Sequence, residues 1–137
     1  MEKLKCALLV DDDSINNFIN ERLLKKLDIA EKIKIVLNGE EALKFIEEII
    51  ASAAPPPDLI LLDINMPVMD GFEFLQNYKK MDFPGKKSIV IVMLTTSTNP
   101  NDTKRLNDSG ASGYINKPLT EQKLKDVMAQ YFGHQNA

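Results

Sequence analysis

Acidic, hydroxyl and lysine side chains stand directly after short, mostly apolar runs at four places along the chain. Asp11 and Asp12 follow the first of these runs, Asp63 the second, Thr95 the third and Lys117 the fourth. A carboxylate can attack phosphorus and become an acyl phosphate, provided that the negative charge collecting there is neutralised. The set of residue types therefore indicates phosphoryl transfer, with Asp63 as the candidate nucleophile and Lys117 as the neutralising cation.

The acidic pair also predicts a metal site. Mg²⁺ takes oxygen ligands and keeps several waters, so the carboxylates of Asp11 and Asp12 are enough to hold it. Each assignment has a structural alternative that the residues alone leave open. The acidic pair could be a solvated turn before a helix, Asp63 could open a turn, Thr95 could be a packing residue of a strand, and Lys117 could be a solvated surface group.

The same apolar runs predict the elements that position these side chains. Short apolar runs alternate with segments of helical period, which is typical of a parallel sheet covered by helices on both faces. In such sheets the site lies outside the carboxyl ends of the strands, where all five candidate residues fall. The predicted strands are Cys6–Val10, Ile33–Leu37, Leu59–Leu62, Ser88–Leu94 and Gly113–Ile115.

Five helices are predicted between and after these strands. The first begins at Ser14 as its N-cap and runs to about Leu27, because apolar residues recur at near-helical spacing at Ile15, Phe18, Ile19 and Leu23. The other helices begin after Gly39, after Asp70, at Asn99-Pro100 (with Gly110 as the stop) and at Thr120. Their predicted inward residues are Ala42, Leu43, Ile46 and Ile50, then Phe72, Leu75 and Tyr78, then Leu124, Val127, Met128 and Tyr131. Surface loops are predicted at Ala51–Pro57 and Phe83–Lys87.

Composition narrows the class of protein. The 137 residues fit one domain, 44% of them are hydrophobic, and the formal charge of −3 offers no general attraction to nucleic acid or to anionic lipid. The single cysteine, Cys6, opens an apolar run and is expected to be a buried core residue. No leader segment precedes Leu4, and no apolar run approaches the ~18 residues of a membrane span. We therefore expect a soluble, cytoplasmic protein, with His134 solvated in a frayed tail at 133–137.

In this order, the acid pair, the lone aspartate, the hydroxyl residue and Lys117-Pro118 resemble the receiver domain of two-component response regulators. The segments Ile64–Pro67 and Asp70-Gly71 add to the resemblance, which covers about Leu4 to Tyr131. It implies one receiver domain over residues 1–137, with its core at about 4–131. The implied fold is an α/β, doubly wound, flavodoxin-like sheet of five parallel strands in the order 2-1-3-4-5 with five helices.

The resemblance also implies a role for each site residue. Asp63 would accept the phosphoryl group, Asp12 would ligate Mg²⁺ directly and Asp11 through water, and Asp63 and the backbone carbonyl of Asn65 would complete the ligands. Lys117 would be aimed inward by a cis Lys-Pro peptide bond. Two further roles concern the switch. Thr95 would bond to the phosphoryl oxygen, and Tyr114 would turn inward when Thr95 moves.

Two neighbouring residues fall outside this pattern. Thr96 is bulkier than the residue usual in the family and would narrow access for a phosphodonor or water. Asp13 lies one place beyond the acid pair and is expected only to supply polarity at the helix start.

Partners follow from the same resemblance. A sensor histidine kinase or a histidine phosphotransfer protein would phosphorylate Asp63. With about six residues after the last helix, no DNA-binding or enzymatic module is expected, so the signal would leave through a protein partner. The face built from the fourth helix, fifth strand and fifth helix is the expected output surface.

Three other functions are weighed against this one. A phosphatase of the haloacid dehalogenase type also uses an aspartate nucleophile, Mg²⁺, a hydroxyl residue and a lysine, but it needs a second aspartate where Asn65 stands. A degenerate receiver that binds partners without phosphorylation is disfavoured because all five site residues are present. A nucleotide- or flavin-binding module of similar topology would need a phosphate loop, and the sequence has no G-x-x-x-x-G-K-[ST].

Overall fold

Strands and helices alternate along the whole described chain. The computed structural model describes residues 3–96 and 100–133. The predicted cap Asn99 lies outside this part of the chain, as do His134 and the residues after it. The elements are β1 (Leu4–Val10), α1 (Ser14–Lys26), β2 (Ala30–Val36), α2 (Gly39–Ser52), β3 (Leu59–Asp63), α3 (Gly71–Lys79), β4 (Val90–Thr95), α4 (Pro100–Asp108), β5 (Gly113–Asn116) and α5 (Glu121–Phe132).

The five strands form one parallel sheet in the order β2-β1-β3-β4-β5, as predicted. The order reverses between β1 and β3, where consecutive crossovers leave in opposite directions, and this is where ligand sites form in doubly wound sheets. Among the described residues no helix is both long enough and apolar enough to cross a membrane.

The sheet separates two hydrophobic cores, and β3 supplies side chains to both. Ile60 and Leu62 point into the core under α2 and α3, whereas Leu59 and Leu61 point into the core under α1 and α5. Because successive strand residues face opposite sides, a strand covered on both faces must be apolar at every position. In β3 and β4 the polar side chain is therefore confined to the last residue, Asp63 in one strand and Thr95 in the other.

The start of α1 differs from the prediction. The N-cap is Asp13 and not Ser14, because Oδ1 of Asp13 accepts hydrogen bonds from the backbone N–H groups of Ile15 at 2.9 Å and Asn16 at 3.3 Å. The prediction that Asp13 serves the helix start is confirmed.

Three of the four apolar residues that predicted α1 face solvent, and only Leu23 packs partly against the core. Ile15, Phe18 and Ile19 are 67%, 59% and 53% exposed, while Asn17 and Leu24 are the buried residues of this helix. The spacing of the apolar residues therefore predicted the helix correctly but not which of its faces packs against the sheet.

Other burial predictions were right in most cases. Ala42, Ile46, Leu75 and the α5 residues Leu124, Val127 and Met128 are buried as predicted, and Leu43, Phe72 and Tyr131 are partly buried. The prediction for Ile50 was wrong, since it is exposed at the end of α2, and that for Cys6 was wrong in degree, since it is only half-buried. The core residues Phe74 and Phe132 were not predicted.

Candidate functional site

Four strands deliver their last residues to one cleft at the carboxyl edge of the sheet. Asp63 ends β3 and Thr95 ends β4, while Asp11 directly follows β1 and Lys117 directly follows β5. Two backbone bonds extend the strand pairing to this edge: the N–H of Asp11 donates to the carbonyl of Val36 at 3.1 Å, and that of Lys117 donates to the carbonyl of Thr95 at 2.7 Å. Residues spread over more than a hundred positions are thereby held side by side.

Lys117 and Asp63 form the central ion pair. The Lys117 ammonium lies 2.6 Å from Oδ1 of Asp63 and 3.9 Å from Oδ2 of Asp11. Both carboxylates are buried, so this single cation sits between two groups with little access to water. The Lys117–Pro118 peptide bond is cis, as the resemblance implied.

Asp12 joins the two carboxylates that contact Lys117 to make a cluster of three. Asp11, Asp12 and Asp63 each place a carboxylate oxygen within 4.8 Å of the others. Burial raises the pKa of Asp11, and the negative charges of Asp63 and Asp12 raise it further, against the opposing effects of the Asp13 N–H and of Lys117. Asp12 is exposed at the mouth of the cleft, so it remains accessible to an ion from solution.

One carboxylate oxygen of this cluster, Oδ2 of Asp11, is placed to bind a cation. Oδ1 of Asp11 accepts a hydrogen bond from the N–H of Asp13 at 2.9 Å. Oδ2 of the same carboxylate is buried and accepts no hydrogen bond from the described residues. Its ion pair with Lys117, at 3.9 Å, is too long for a hydrogen bond, and a buried carboxylate oxygen without a hydrogen bond is unfavourable. Asp11, Asp12 and Asp63, with the nearby oxygens of Asn65, form the all-oxygen donor set that Mg²⁺ prefers.

The turn after Asp63 is held by close packing against Gly71. The N–H of Gly71 donates to the carbonyl of Ile64 at 2.9 Å, and a Cβ at this position would lie 2.7 Å from the carbonyl oxygen of Asp63. Asp70 and Glu73 cap α3 reciprocally, each side chain accepting a bond from the other's backbone N–H. The Asp70-Gly71 pair thus fixes the backbone on which the candidate nucleophile sits.

Of the other predicted site residues, all but Tyr114 line the cleft. Thr95, Thr96 and Asn65 line the cleft with Lys117, the aspartate cluster and the helix-capping Asp13, around a volume of about 220 Å³. Thr95 is buried and Thr96 is exposed at the entrance. Tyr114 does not line this cleft: its side chain is 38% exposed on β5, beside Asn116 and Lys123.

Two asparagines at the site were not predicted. Asn17 of α1 is buried, and its side-chain N–H donates to the backbone carbonyl of Asp11 at 2.8 Å, tying the helix to the acidic turn. Asn16 lines the cleft. Asn17 lies beside Asn16, off the apolar stripe of α1, so the sequence carried no signal for its burial.

Comparison with known proteins agrees with this geometry. Residues 7–129 match the sequence model of the response regulator receiver domain. Two-component response regulator 24 of Arabidopsis thaliana is 33% identical over 122 residues, which cover 89% of this chain and 80% of that protein. Chemotaxis protein CheY of Halobacterium salinarum is 32% identical over 126 residues, which cover 91% of this chain and 94% of that protein.

A solved structure gives the same result for the fold. A two-component response regulator from Cytophaga hutchinsonii superposes with a TM-score of 0.85 at 29% identity, over 96% of this chain and 99% of that one. The chain belongs to the response regulator receiver domain family, whose members are signalling modules and not classical enzymes.

Proposed function

We propose that this receiver domain accepts a phosphoryl group on Asp63, in a Mg²⁺-dependent reaction, and thereby switches its binding to a partner protein. The observation that carries the proposal is the 2.6 Å contact between the Lys117 ammonium and Asp63, inside a cluster of three carboxylates. The phosphodonor would be a sensor histidine kinase or a histidine phosphotransfer protein.

The chemistry assigned to the site is a single displacement. A carboxylate oxygen of Asp63 attacks phosphorus, the phosphorus–nitrogen bond of the donor phosphohistidine breaks, and the histidine nitrogen leaves with the bonding electron pair. Lys117 pairs with Asp63 beforehand and with a phosphoryl oxygen afterwards, and the Thr95 hydroxyl donates to another. Asp11, Asp12, Asp63 and the Asn65 carbonyl would hold Mg²⁺, which neutralises charge on the phosphoryl oxygens when bound.

The nature of Asn65 supports this proposal over a phosphatase of the haloacid dehalogenase type. A carboxamide cannot exchange a proton as the second aspartate of those enzymes does. The convergence of Asp11, Asp63, Thr95 and Lys117 in one cleft likewise supports a working site over a degenerate receiver.

The test is labelling with a small phosphodonor. Incubation with acetyl phosphate and Mg²⁺ should add one phosphoryl group, and hydroxylamine should remove it because it is an acyl phosphate. Asp63→Asn, which is nearly isosteric, should abolish labelling without loss of the fold. Asp82→Asn, an exposed acid at the other end of the sheet, is the matched control and should label normally. Equal labelling of wild type and Asp63→Asn in intact-mass spectra would disprove the assignment.

The output surface is proposed to be the face formed by α4, β5 and α5. Movement of Thr95 toward the phosphate would vacate space for the side chain of Tyr114, which is 38% exposed in this structure. Contacts that this movement would disturb lie close by: the Lys123 ammonium donates to the Asn116 carbonyl at 2.7 Å, and the Arg105 guanidinium lies 3.9 Å from the ring centroid of Phe72. A phosphate can shift the conformational equilibrium only through contacts that differ between the two states.

Backbone NMR shifts with and without the phosphoryl mimic beryllofluoride test this surface. Wild type should show changes from Arg105 to Lys123, and Thr95→Ala should reduce them. Changes confined to the loops around Asp63 would refute the output face while leaving phosphorylation of Asp63 intact.

A further inference from the structure

Asn17 lies on the buried face of α1, beside the acidic turn at 11–13. Its side chain is 4% exposed, and its amide N–H donates to the backbone carbonyl of Asp11 at 2.8 Å. Its backbone N–H donates to the carbonyl of Asp13 at 3.0 Å. One residue of the helix thus holds both ends of the turn that carries Asp11 and Asp12.

The polar groups of Asp11 are bonded so that one carboxylate oxygen stays available. The N–H of Asp11 donates to the Val36 carbonyl at 3.1 Å, and Oδ1 accepts from the Asp13 N–H at 2.9 Å. Asn17 holds the carbonyl, so of these four groups only Oδ2 accepts no hydrogen bond from the described residues. The three bonds therefore fix the direction of the one oxygen that is left for a cation.

The bond from Asn17 also acts on Asp12. The Asp11 carbonyl belongs to the peptide group that joins the two acids, and this planar group includes the Cα of Asp12. Because Asn17 holds the carbonyl oxygen, it limits rotation of the whole peptide plane and so fixes where the Asp12 side chain begins. Asp12 is exposed at the mouth of the cleft, so packing contributes little to its position.

The other half of the Asn17 amide is left unsatisfied. Its Oδ1 is buried and has no hydrogen-bond partner among the described residues. A buried carbonyl oxygen without a partner costs stability, and leucine has nearly the same branched shape without a polar atom. Packing alone would therefore not favour asparagine here, which points to the donated bond as the reason for the amide.

We propose that Asn17 is a positioning residue for the cation site, which it preorganises by holding the peptide group between Asp11 and Asp12. Asn17 is not itself a ligand of the cation, and it acts through the two acids. Ligands that are already held in place bind more tightly, because less freedom is lost on binding. The inference rests on the Mg²⁺ site of the function proposed above, but it does not require phosphorylation of Asp63.

Mg²⁺ titrations of the full chain, followed by the amide NMR shifts of Asp12, Asp13 and Asn65, test this role. Asn17→Leu removes the donated bond at nearly constant volume and should raise the Mg²⁺ dissociation constant about fivefold, as expected for the loss of one hydrogen bond. Asn17→Ala removes the same bond without adding bulk and should give a similar rise, so the test does not depend on how well leucine packs.

Leu24→Ala is the matched control, because Leu24 is the other buried residue of α1 and its side chain has no polar atom. It should lower the urea midpoint of unfolding more than Asn17→Leu does, through the cavity it leaves, yet keep the wild-type affinity for Mg²⁺. The role of Asn17 is disproved if both Asn17 variants bind Mg²⁺ as tightly as wild type, or if Leu24→Ala weakens binding equally. A wild type that does not bind Mg²⁺ would overturn the proposed metal site, and this inference with it.

Discussion

The two ends of the sheet differ in the sign of their charge. At the carboxyl end, three clustered carboxylates and one ammonium line a cleft of about 220 Å³. At the amino end, two lysines and one aspartate rim a cavity of about 570 Å³ with an aromatic wall. Strands covered on both faces carry no polar side chains along their length, so both sets of polar groups must collect at strand ends.

The two ends differ in the polar group that each buries without a hydrogen bond. At the carboxyl end this group is Oδ2 of Asp11, a charged acceptor whose ion pair with Lys117 is 3.9 Å long. At the amino end it is the hydroxyl of Tyr78, a neutral donor on a ring that packs against Phe74 and Phe83. Clustered carboxylates favour a hard cation, whereas a buried neutral hydroxyl costs stability without selecting a charge.

Removing the cation from the carboxyl end should have the largest effect. Lys117→Met leaves the charge collecting on Asp63 and on the phosphoryl oxygens without its fixed partner, so the rate of phosphorylation by acetyl phosphate should fall about 100-fold. Lys87→Met removes a cation from the amino end and should leave the rate unchanged. Mass spectra over time give both rates, and a tenfold or smaller loss in Lys117→Met would assign most charge neutralisation to bound Mg²⁺.

Adding a cation to the same end should stabilise the fold. Mutual repulsion of Asp11, Asp12 and Asp63 disfavours the metal-free protein at neutral pH, and Mg²⁺ relieves it. At a hundredfold excess over its dissociation constant, Mg²⁺ should add up to ~2.7 kcal/mol to the free energy of unfolding. Asp12→Ala should lose most of this response, while Asp82→Ala at the other end keeps it. A wild-type melting temperature indifferent to Mg²⁺ would count against the metal site.

The contrast between the ends also explains what the sequence could predict. Asp11, Asp63, Thr95 and Lys117 were predictable because each directly follows a mostly apolar run, and parallel strands bring their ends together. Strand order and the cis Lys117–Pro118 bond followed from the family resemblance and are confirmed. The roles of these residues in phosphorylation stay predictions.

The amino end could not be predicted in this way. Its cavity depends on how a loop at 82–88 folds over the ring of Tyr78, and a loop has no periodicity to read. The same limit applies to α1, where the spacing of Ile15, Phe18 and Ile19 gave the helix but not its orientation. The orientation of α1 depends on the groups of the surface on which it packs. Here that surface offers the backbone carbonyl of Asp11, to which the buried Asn17 of α1 donates.

A crowded backbone at the carboxyl end should make Gly71→Ala destabilising. The new Cβ would meet the Asp63 carbonyl oxygen at 2.7 Å and the Ile64 Cα at 3.1 Å, and neither backbone atom can move without shifting the nucleophile. We expect a loss of ~2 kcal/mol in the free energy of unfolding by urea, together with slower phosphorylation. Gly133→Ala, whose Cβ would have no neighbour nearer than 3.8 Å, should cost less than ~0.5 kcal/mol. Equal losses in the two variants would contradict the close packing at Gly71.

The smallest effect is expected from the amino end, in alkaline solution. Burial raises the pKa of Tyr78 to about 12, against ~10 in the unfolded chain. Between these two values the unfolded chain releases the phenolic proton while the folded protein keeps it, so stability falls as pH rises through this window.

The slope from this one group is at most ~1.4 kcal/mol per pH unit. Tyr78→Phe should therefore lose less stability than wild type between about pH 9.5 and 11 in urea denaturation. Tyr114→Phe removes an exposed tyrosine and controls for the change in tyrosine number. If Tyr78→Phe follows the wild-type slope, the Tyr78 phenol ionises as readily in the folded protein as in the unfolded chain. Its hydroxyl would then be solvated, and the amino end would lack the buried donor that sets it apart from the aspartate cluster.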